Sequence, residues 1–371
     1  MVDLDPIVAC EKTSFGWRGL TDKGDVVNVR SDEVPSQYLS RPGLIETYLR
    51  HAHGAIDHLR ANAFDSALAE IEKAIEIVPT TRAMFNRGII LLSLGWWAEG
   101  LEDYERRLEF LPSGYVEPRW CGEDLRGKKL ALTTFDHGFG DTIMMLRYVP
   151  LLQAMGADVT IRVPIELRRL AEQVVPVIDD DADWFCPIMS LLRLLDQKPN
   201  TIPQCRGGYL KVDPALIAKW DARIPRSEKK RIGIAWSTLK QVDGDYARSA
   251  PIELFVDALR GADLFSLQGP CATEEAIARG IAVLEVDDFA DCAAVMHLMD
   301  AVVSIDTAAL HLAGAIGHLH VHGLLSHWAS WRWLASWYPG VKFYQQEKAG
   351  DWDSVFRRLG GIHAATQAAQ G

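Results

Sequence analysis

KLALTTFDHGFGDTIMM, residues 129–145, decides how the rest of the chain reads. An apolar run, LALTTF, leads into two glycines two apart, Gly138 and Gly140, and then into an apolar-periodic segment, TIMMLRYVPLL. That order is strand, tight turn, helix. Such a turn can cradle a phosphate on the helix N-terminus, present a catalytic side chain, or simply make a corner. Asp136, His137 and Asp141 are the chemistry-bearing residues in it. G-x-G without a third glycine or a ribose-binding acid is weak evidence for a dinucleotide site.

The same alternation continues on both sides. DVTIRV reads as a strand, followed by a helix from about Pro164 and by DADWF (181–185). A second series starts at RIGIAWS (231–237). Helix IELFVDALRG, strand DLFSLQG, helices EEAIARG and ADCAAVMHLM, strand AVVSI and helix TAALHLAGAIG follow. Strands alternating with helices imply parallel sheets. Two series joined by the polar DARIPRSEKK (221–230) imply two Rossmann-like domains facing a cleft. Ligands in such sheets bind at the carboxyl ends of strands. The loops to inspect are therefore 136–141, 237–249, 268–272, 304–308 and 324–333.

Upstream the pattern is purely helical. Ala67 and Gly100, Ile71 and Tyr104, and Pro79 and Pro112 are each offset by 33 residues. Small residues let paired helices approach, and the proline ends each second helix. This resembles the tetratricopeptide repeat. Two such units are fewer than the ~3 that stand alone, so packing on a neighbouring domain or subunit is expected. The expected division is an N-terminal arm (1–40), repeats (41–113), a Pro/Gly-bearing linker (114–127), an N-terminal Rossmann-like half (128–225) and a C-terminal half (226–371) ending in a helix.

Composition narrows the class. The chain has 371 residues, 48% hydrophobic and 24% charged, which is ordinary for a globular protein. The formal net charge of −11 and the lack of a basic run argue against nucleic acid. Six scattered cysteines without a C-x-x-C pair fit free thiols in a reducing compartment. The N-terminus lacks a signal-peptide pattern, and no stretch approaches the ~20 apolar residues of a membrane span. A cytoplasmic protein is expected.

Three further segments carry candidate chemistry. In AVVSIDTAALHLAGAIG (301–317) the strand ends at Ile305, and Asp306 is placed to cap the helix. Thr307, Ala308 and Ala309 would offer first-turn N–H groups to a diphosphate, and His311 shares a face with Thr307. In STLKQVDGDYARSAPIELF (237–255), Arg248 stands before Ser249 and Pro251, where it can fork onto a phosphate. SHWASWRWLASWYPG (326–340) holds Trp331 and Trp333, which would either stack on a sugar or base or pack in the core.

Taken in order, these segments resemble bacterial tetratricopeptide-repeat glycosyltransferase-like proteins related to the ADP-heptose:lipopolysaccharide heptosyltransferases. The resemblance covers about 41–358. It implies a GT-B fold with a nucleotide-diphosphate sugar as co-substrate on the C-terminal half and the acceptor mainly on the N-terminal half. It also implies inversion and no required metal or cofactor. Carried over by position, Asp141 in GFGD is the candidate general base, with His137 beside it. Gly138 and Gly140 bring backbone near the reacting centre. Arg248, Ser249, Gln268, Asp306, Thr307, Ala308 and His311 are the candidate donor-binding residues. The acceptor would be a protein, peptide or glycan, with a protein partner on the repeats and a possible homo-oligomer.

The chain departs from the family pattern in three places. E-Q-G-L-G-D is replaced by Asp136-His137-Gly138-Phe139-Gly140-Asp141. A commonly basic loop carries Asp243 and Asp245, which points to a different donor or to lost activity. The strand written G-K-P-V-W becomes GHLHVHG, whose His318, His320 and His322 would share a strand face; buried structure is the expectation there, with a transition-metal site as the alternative. A non-catalytic scaffold and a sugar-nucleotide epimerase are the alternative functions.

Overall fold

The structure is a computed structural model describing residues 7–13, 16–29, 43–110, 116–135, 137–178, 181–205, 207–238, 248–269 and 273–368. Asp136, Asp243 and Asp245 lie outside the described residues. The chain divides into two compact units. One comprises Met1–Gly114, Leu192–Thr201 and Ser330–Ala335, and the other comprises Tyr115–Leu191, Ile202–Ala329 and Ser336–Gly371.

The first unit opens with a three-stranded antiparallel meander, β1 (Ile7–Thr13), β2 (Gly16–Thr21) and β3 (Val26–Val29). Four helices follow: α1 (Leu44–Arg60), α2 (Phe64–Ile77), α3 (Thr81–Ser93) and α4 (Trp97–Tyr104). They pair as two hairpins. The first turns at Asn62, whose φ of 58° is left-handed, a conformation asparagine tolerates better than most residues. Thr80 caps α3 by accepting from the Ala83 N–H at 3.1 Å, and its hydroxyl lies 2.6 Å from that of Tyr48 on α1. In the second hairpin the backbones nearly touch. A Cβ on Gly88 would fall 2.7 Å from the Tyr104 nitrogen and 2.9 Å from the Gly100 oxygen. Only glycine permits that approach.

The second unit holds two parallel sheets. The first has β4 (Lys129–Thr133), β5 (Asp158–Arg162) and β6 (Trp184–Pro187) in the order β5-β4-β6. Its connections carry α5 (Phe139–Met145), α6 (Val149–Ala154) and α7 (Arg168–Ala171); α8 (Leu191–Leu194), which follows β6 in the chain, belongs from Leu192 on to the first unit. The second sheet follows α9 (Pro214–Asp221). It contains β7 (Arg231–Ala235), β8 (Asp263–Ser266), β9 (Ala282–Val283), β10 (Ala301–Ile305), β11 (Val321–Leu325) and β12 (Val341–Gln345). Between and after these strands lie α10 (Ile252–Ala258), α11 (Thr273–Ala278), α12 (Phe289–His297), α13 (Ala308–Ala315) and α14 (Trp352–Ala368).

The order β9-β8-β7-β10-β11-β12 is the 3-2-1-4-5-6 order of a Rossmann sheet. It reverses between β7 and β10, and open α/β sheets bind ligands at the carboxyl ends beside such a reversal. In the smaller sheet the reversal falls between β4 and β6. Two parallel α/β sheets in one unit make a GT-B-like fold. The core of the larger sheet is Ile232, Ile234, Trp236, Ile305 and Leu324, covered by Phe255 of α10 and Phe356 of α14. The rings of those two phenylalanines meet edge-on at 4.8 Å.

The helices of the two sheets are clasped by a buried carboxylate. Asp291 on α12 is wholly buried. It accepts from Trp220 Nε1 at 2.7 Å and Lys219 Nζ at 3.0 Å on α9, and from Arg169 Nη2 at 2.8 Å on α7. Burial pushes its carboxyl up, but the bonds from Trp220, Lys219 and Arg169 outweigh that and bring it down to about 2. Because the folded value lies below the unfolded one, the stabilisation is complete above the ordinary carboxylate range and is lost as pH falls toward 2. Asp291→Ala should therefore cost about 3 kcal/mol at neutral pH. In paired urea melts of variant and wild type, that gap should shrink steadily from about pH 4 to about pH 2.

Candidate functional site

The site is built from two strand-to-helix turns. The first leaves β4 at Thr134 and enters α5 through Gly138, an extended residue with φ −83° and ψ 174°. His137 and Asp141 are half-buried on this turn, Asp141 in the first turn of α5. The two glycines are not equivalent. A Cβ on Gly138 would meet nothing within 4 Å. One on Gly140 would lie 2.7 Å from His311 Cδ2 and 3.4 Å from Ala308 Cα. Gly140 is thus required by the approach of α5 to α13, whereas Gly138 leaves open space.

The second turn leaves β10 at the sheet's reversal point. Its N-cap is Thr307, not Asp306 as the sequence suggests, and no side chain caps the helix. Thr307 Oγ1 instead lies 3.1 Å from Ser304 Oγ. Ala308 and Ala309 occupy the first turn, whose N–H groups have no carbonyl inside the helix to meet. Asp306 is buried and faces Arg248, with 3.8 Å between Oδ2 and Nη1. The arginine's side chain keeps 36% exposure, so the pair is loose and open to water. His311, buried one turn into α13, points Nδ1 at the Tyr338 hydroxyl 3.1 Å away.

Gln268 and Ser249 have a different geometry from direct donor ligands. Gln268 Oε1 accepts from the Trp236 and Ser237 N–H groups at 2.7 and 3.0 Å, and its Nε2 donates to the Ser237 carbonyl at 3.0 Å. Ser249 Oγ accepts from the Thr238 N–H at 3.2 Å. The Ala250 N–H closes the base onto the Trp236 carbonyl at 2.9 Å. These residues pinch the neck of the loop that carries Arg248.

One choice the sequence left open is decided by packing, and one expectation is corrected. Trp331 and Trp333 belong to the first unit, and both are buried. The Trp331 ring meets Trp97 and Tyr104 edge-on, each at 5.6 Å, with the Arg332 guanidinium 4.8 Å above it. Core packing therefore takes the faces a sugar or base would need. The three histidines do not share a strand face, because β11 begins at Val321 and only His322 lies on it. His318 Nε2 is 3.0 Å from the Met299 carbonyl oxygen, and His322 Nδ1 is 3.2 Å from the Tyr344 hydroxyl. Among the described residues no group of three histidine, cysteine or acidic side chains could hold a metal. Cys121, Cys205 and Cys292 are unbridged thiols, and no described helix is long and apolar enough to cross a membrane.

Sequence reading missed Arg147. It is buried behind α5 and donates to the carbonyls of Met144 (2.9 Å), Pro203 (3.3 Å) and Trp337 (2.8 Å). Its guanidinium lies over the rings of Tyr209, Trp337 and Tyr338 at 4.8–5.1 Å. The available signal was a lone charge inside the apolar run TIMMLRYVPLL.

No family model matches the chain. Protein FlbA of Caulobacter vibrioides is 29% identical over 374 residues, covering 86% of this chain and 61% of FlbA, so the chain spans about three fifths of that relative's length. Among solved structures, a glycosyl transferase family 9 protein from Veillonella parvula is similar over 61% of this chain and 88% of its own, at 11% identity and a TM-score of 0.46. The E. coli heptosyltransferase WaaC with ADP-2-deoxy-2-fluoro heptose is similar over 53% of this chain and 88% of its own, at 14% identity and a TM-score of 0.36. An O-GlcNAc transferase of Thermobaculum terrenum is similar over 85% of this chain and 83% of its own, at 13% identity and a TM-score of 0.31.

The pinched neck makes a prediction about the Arg248 loop. Gln268→Ala leaves the Trp236 and Ser237 backbone groups without partners and should cost about 1–3 kcal/mol. Limited proteolysis should then cut between residues 237 and 249 faster than in wild type. An unchanged cleavage rate there would show that the amide does not hold the loop.

Proposed function

We propose that the chain is a glycosyltransferase that moves a sugar from a nucleotide-diphosphate sugar to an acceptor hydroxyl. The observation that carries this reading is the meeting of the two turns. The helix start bearing Asp141 is in van der Waals contact with the helix start bearing Thr307, Ala308 and His311. The two turns lie at the carboxyl ends of β4 and β10, each beside its sheet's reversal point. That is where open α/β sheets bind ligands.

In this reading Asp141 takes the proton of the acceptor hydroxyl, and the half-buried His137 tunes it. The departing diphosphate is met by the first-turn N–H groups of α13, the positive end of the helix dipole and the His311 ring. Arg248 exchanges its loose partner Asp306 for the ligand as charge develops. This donor set supplies the stabilisation that a metal supplies elsewhere. A base on the acceptor side and a leaving group held opposite it give a single displacement, hence inversion. The helical hairpins act as tetratricopeptide-type repeats that bind a protein partner or the acceptor, and the protein works in the cytoplasm.

Asp141→Asn should lower turnover ~10²–10⁴-fold while calorimetry finds donor affinity nearly unchanged. Full turnover in that variant would remove Asp141 from the role. His137→Gln should move the pH–rate profile, and an unaltered profile would exclude a tuning role. Calorimetric titration with a panel of nucleotide sugars tests the reading as a whole. If the folded protein binds none of them, the reading falls and a scaffold becomes the better description.

A further inference from the structure

His311 sits between two neighbours that treat its ring nitrogens differently. Nδ1 is 3.1 Å from the Tyr338 hydroxyl, and the two rings meet edge-on at 5.8 Å. The opposite edge faces Gly140, where a Cβ would lie 2.7 Å from Cδ2 and 3.4 Å from Nε2. Tyr338 in turn has its hydroxyl 3.5 Å from that of Tyr209.

Proton counting narrows the direction of these bonds, and their lengths choose between what remains. A phenol has one proton to give. The Tyr209 hydroxyl gives its proton to the Ile143 carbonyl at 2.8 Å, and its oxygen accepts from Arg147 Nη2 at 3.5 Å. Tyr209 therefore cannot donate to Tyr338. The Tyr338 proton has His311 Nδ1 at 3.1 Å and the Tyr209 oxygen at 3.5 Å, and the shorter contact is the stronger one. Burial pushes both phenols up, Tyr338 well above its ordinary value, so that proton is present at neutral pH. Arg147, lying over both tyrosine rings, fixes them in place through its contacts with their π faces.

We propose that Tyr338 is a positioning residue. Its hydroxyl donates to His311 Nδ1, which locks the imidazole in the Nε2–H tautomer and puts that N–H on the ring edge turned toward residues 138–141. The identity of a ring's protonated nitrogen is set by the hydrogen bond the other nitrogen makes. The purpose of the N–H rests on the donor-site reading above: a neutral ring donor aimed at an oxygen of the bound sugar diphosphate. The tautomer itself does not depend on that reading.

The test uses ¹⁵N-histidine-labelled full-length protein and long-range ¹H–¹⁵N spectra at neutral pH, with His311 assigned by its loss in His311→Gln. Wild type should show a bare Nδ1 and a protonated Nε2. Tyr338→Phe should show a mixture of tautomers, and the donor KM should rise about tenfold with kcat within about twofold. A wild-type spectrum with Nδ1 protonated overturns the proposal without any variant, as does an unaltered Nε2–H signature in Tyr338→Phe. The two readings fail separately. A tautomer that responds in a protein that binds no nucleotide sugar leaves the positioning role standing and removes the donor site. A tautomer that does not respond in a protein that binds nucleotide sugar does the reverse.

Discussion

The contact of α5 with α13 at Gly140 governs the geometry of the second unit. A side chain at that position would drive the helices apart, because the His311 ring already occupies the space a Cβ would need. With glycine there, the start of one α/β layer's first helix lies directly on the start of the helix that follows the other layer's fourth strand. Everything chemically suggestive in this unit is then within one neighbourhood. Asp141 comes from the first layer, and Thr307, His311 and Arg248 from the second.

Holding that contact takes more than the two helices. At the far end of α13, the Tyr209 and Leu210 N–H groups donate to the Ala315 carbonyl at 2.8 and 3.0 Å. To one side, the carboxylates of Asp288 and Asp291 on α12 take the guanidinium of Arg169 on α7. Phe139 meets Phe289 edge-on at 5.1 Å beside it. These are contacts of three different kinds, spread around the junction, and each spans the two layers. They make the mutual placement of the turns a property of the whole unit and not of one pair of side chains.

Strands with a continuous apolar run were legible in the sequence because burial on both faces demands it. LALT, RIGIA and AVVSI fall on β4, β7 and β10. β12 was not legible, because VKFYQ is an edge strand with one buried residue in five. The segment after the Gly138 turn read as one long helix. It breaks into α5, a 3-10 turn at Leu146–Tyr148 and α6, since Pro150 has no N–H to continue the ladder. Trp331 could not be placed by pattern, because a tryptophan in a core and one lining a cleft look alike in a sequence. The roles of Gln268 and Ser249 were hidden for another reason. Their partners are backbone groups of residues 236–238, and no side-chain pattern announces a backbone bond.

Arg147 shows most sharply what pattern reading leaves out. Burying a guanidinium costs several kcal/mol even after the protein relaxes, and among the described residues its partners are three carbonyls, a phenol and three aromatic faces, with no carboxylate. A leucine or methionine could fill the volume at lower cost, as hydrophobic replacements of buried ions often do. What such a residue could not do is fix directions. The guanidinium ties the last turn of α5 to residues 203 and 337 by directional bonds and sets the planes of Tyr209 and Tyr338. Those planes in turn set where the Tyr338 hydroxyl points, and so how the His311 ring lies against Gly140. An expensive buried cation is therefore spent on orientation, at the one junction where orientation decides whether the two turns can act together.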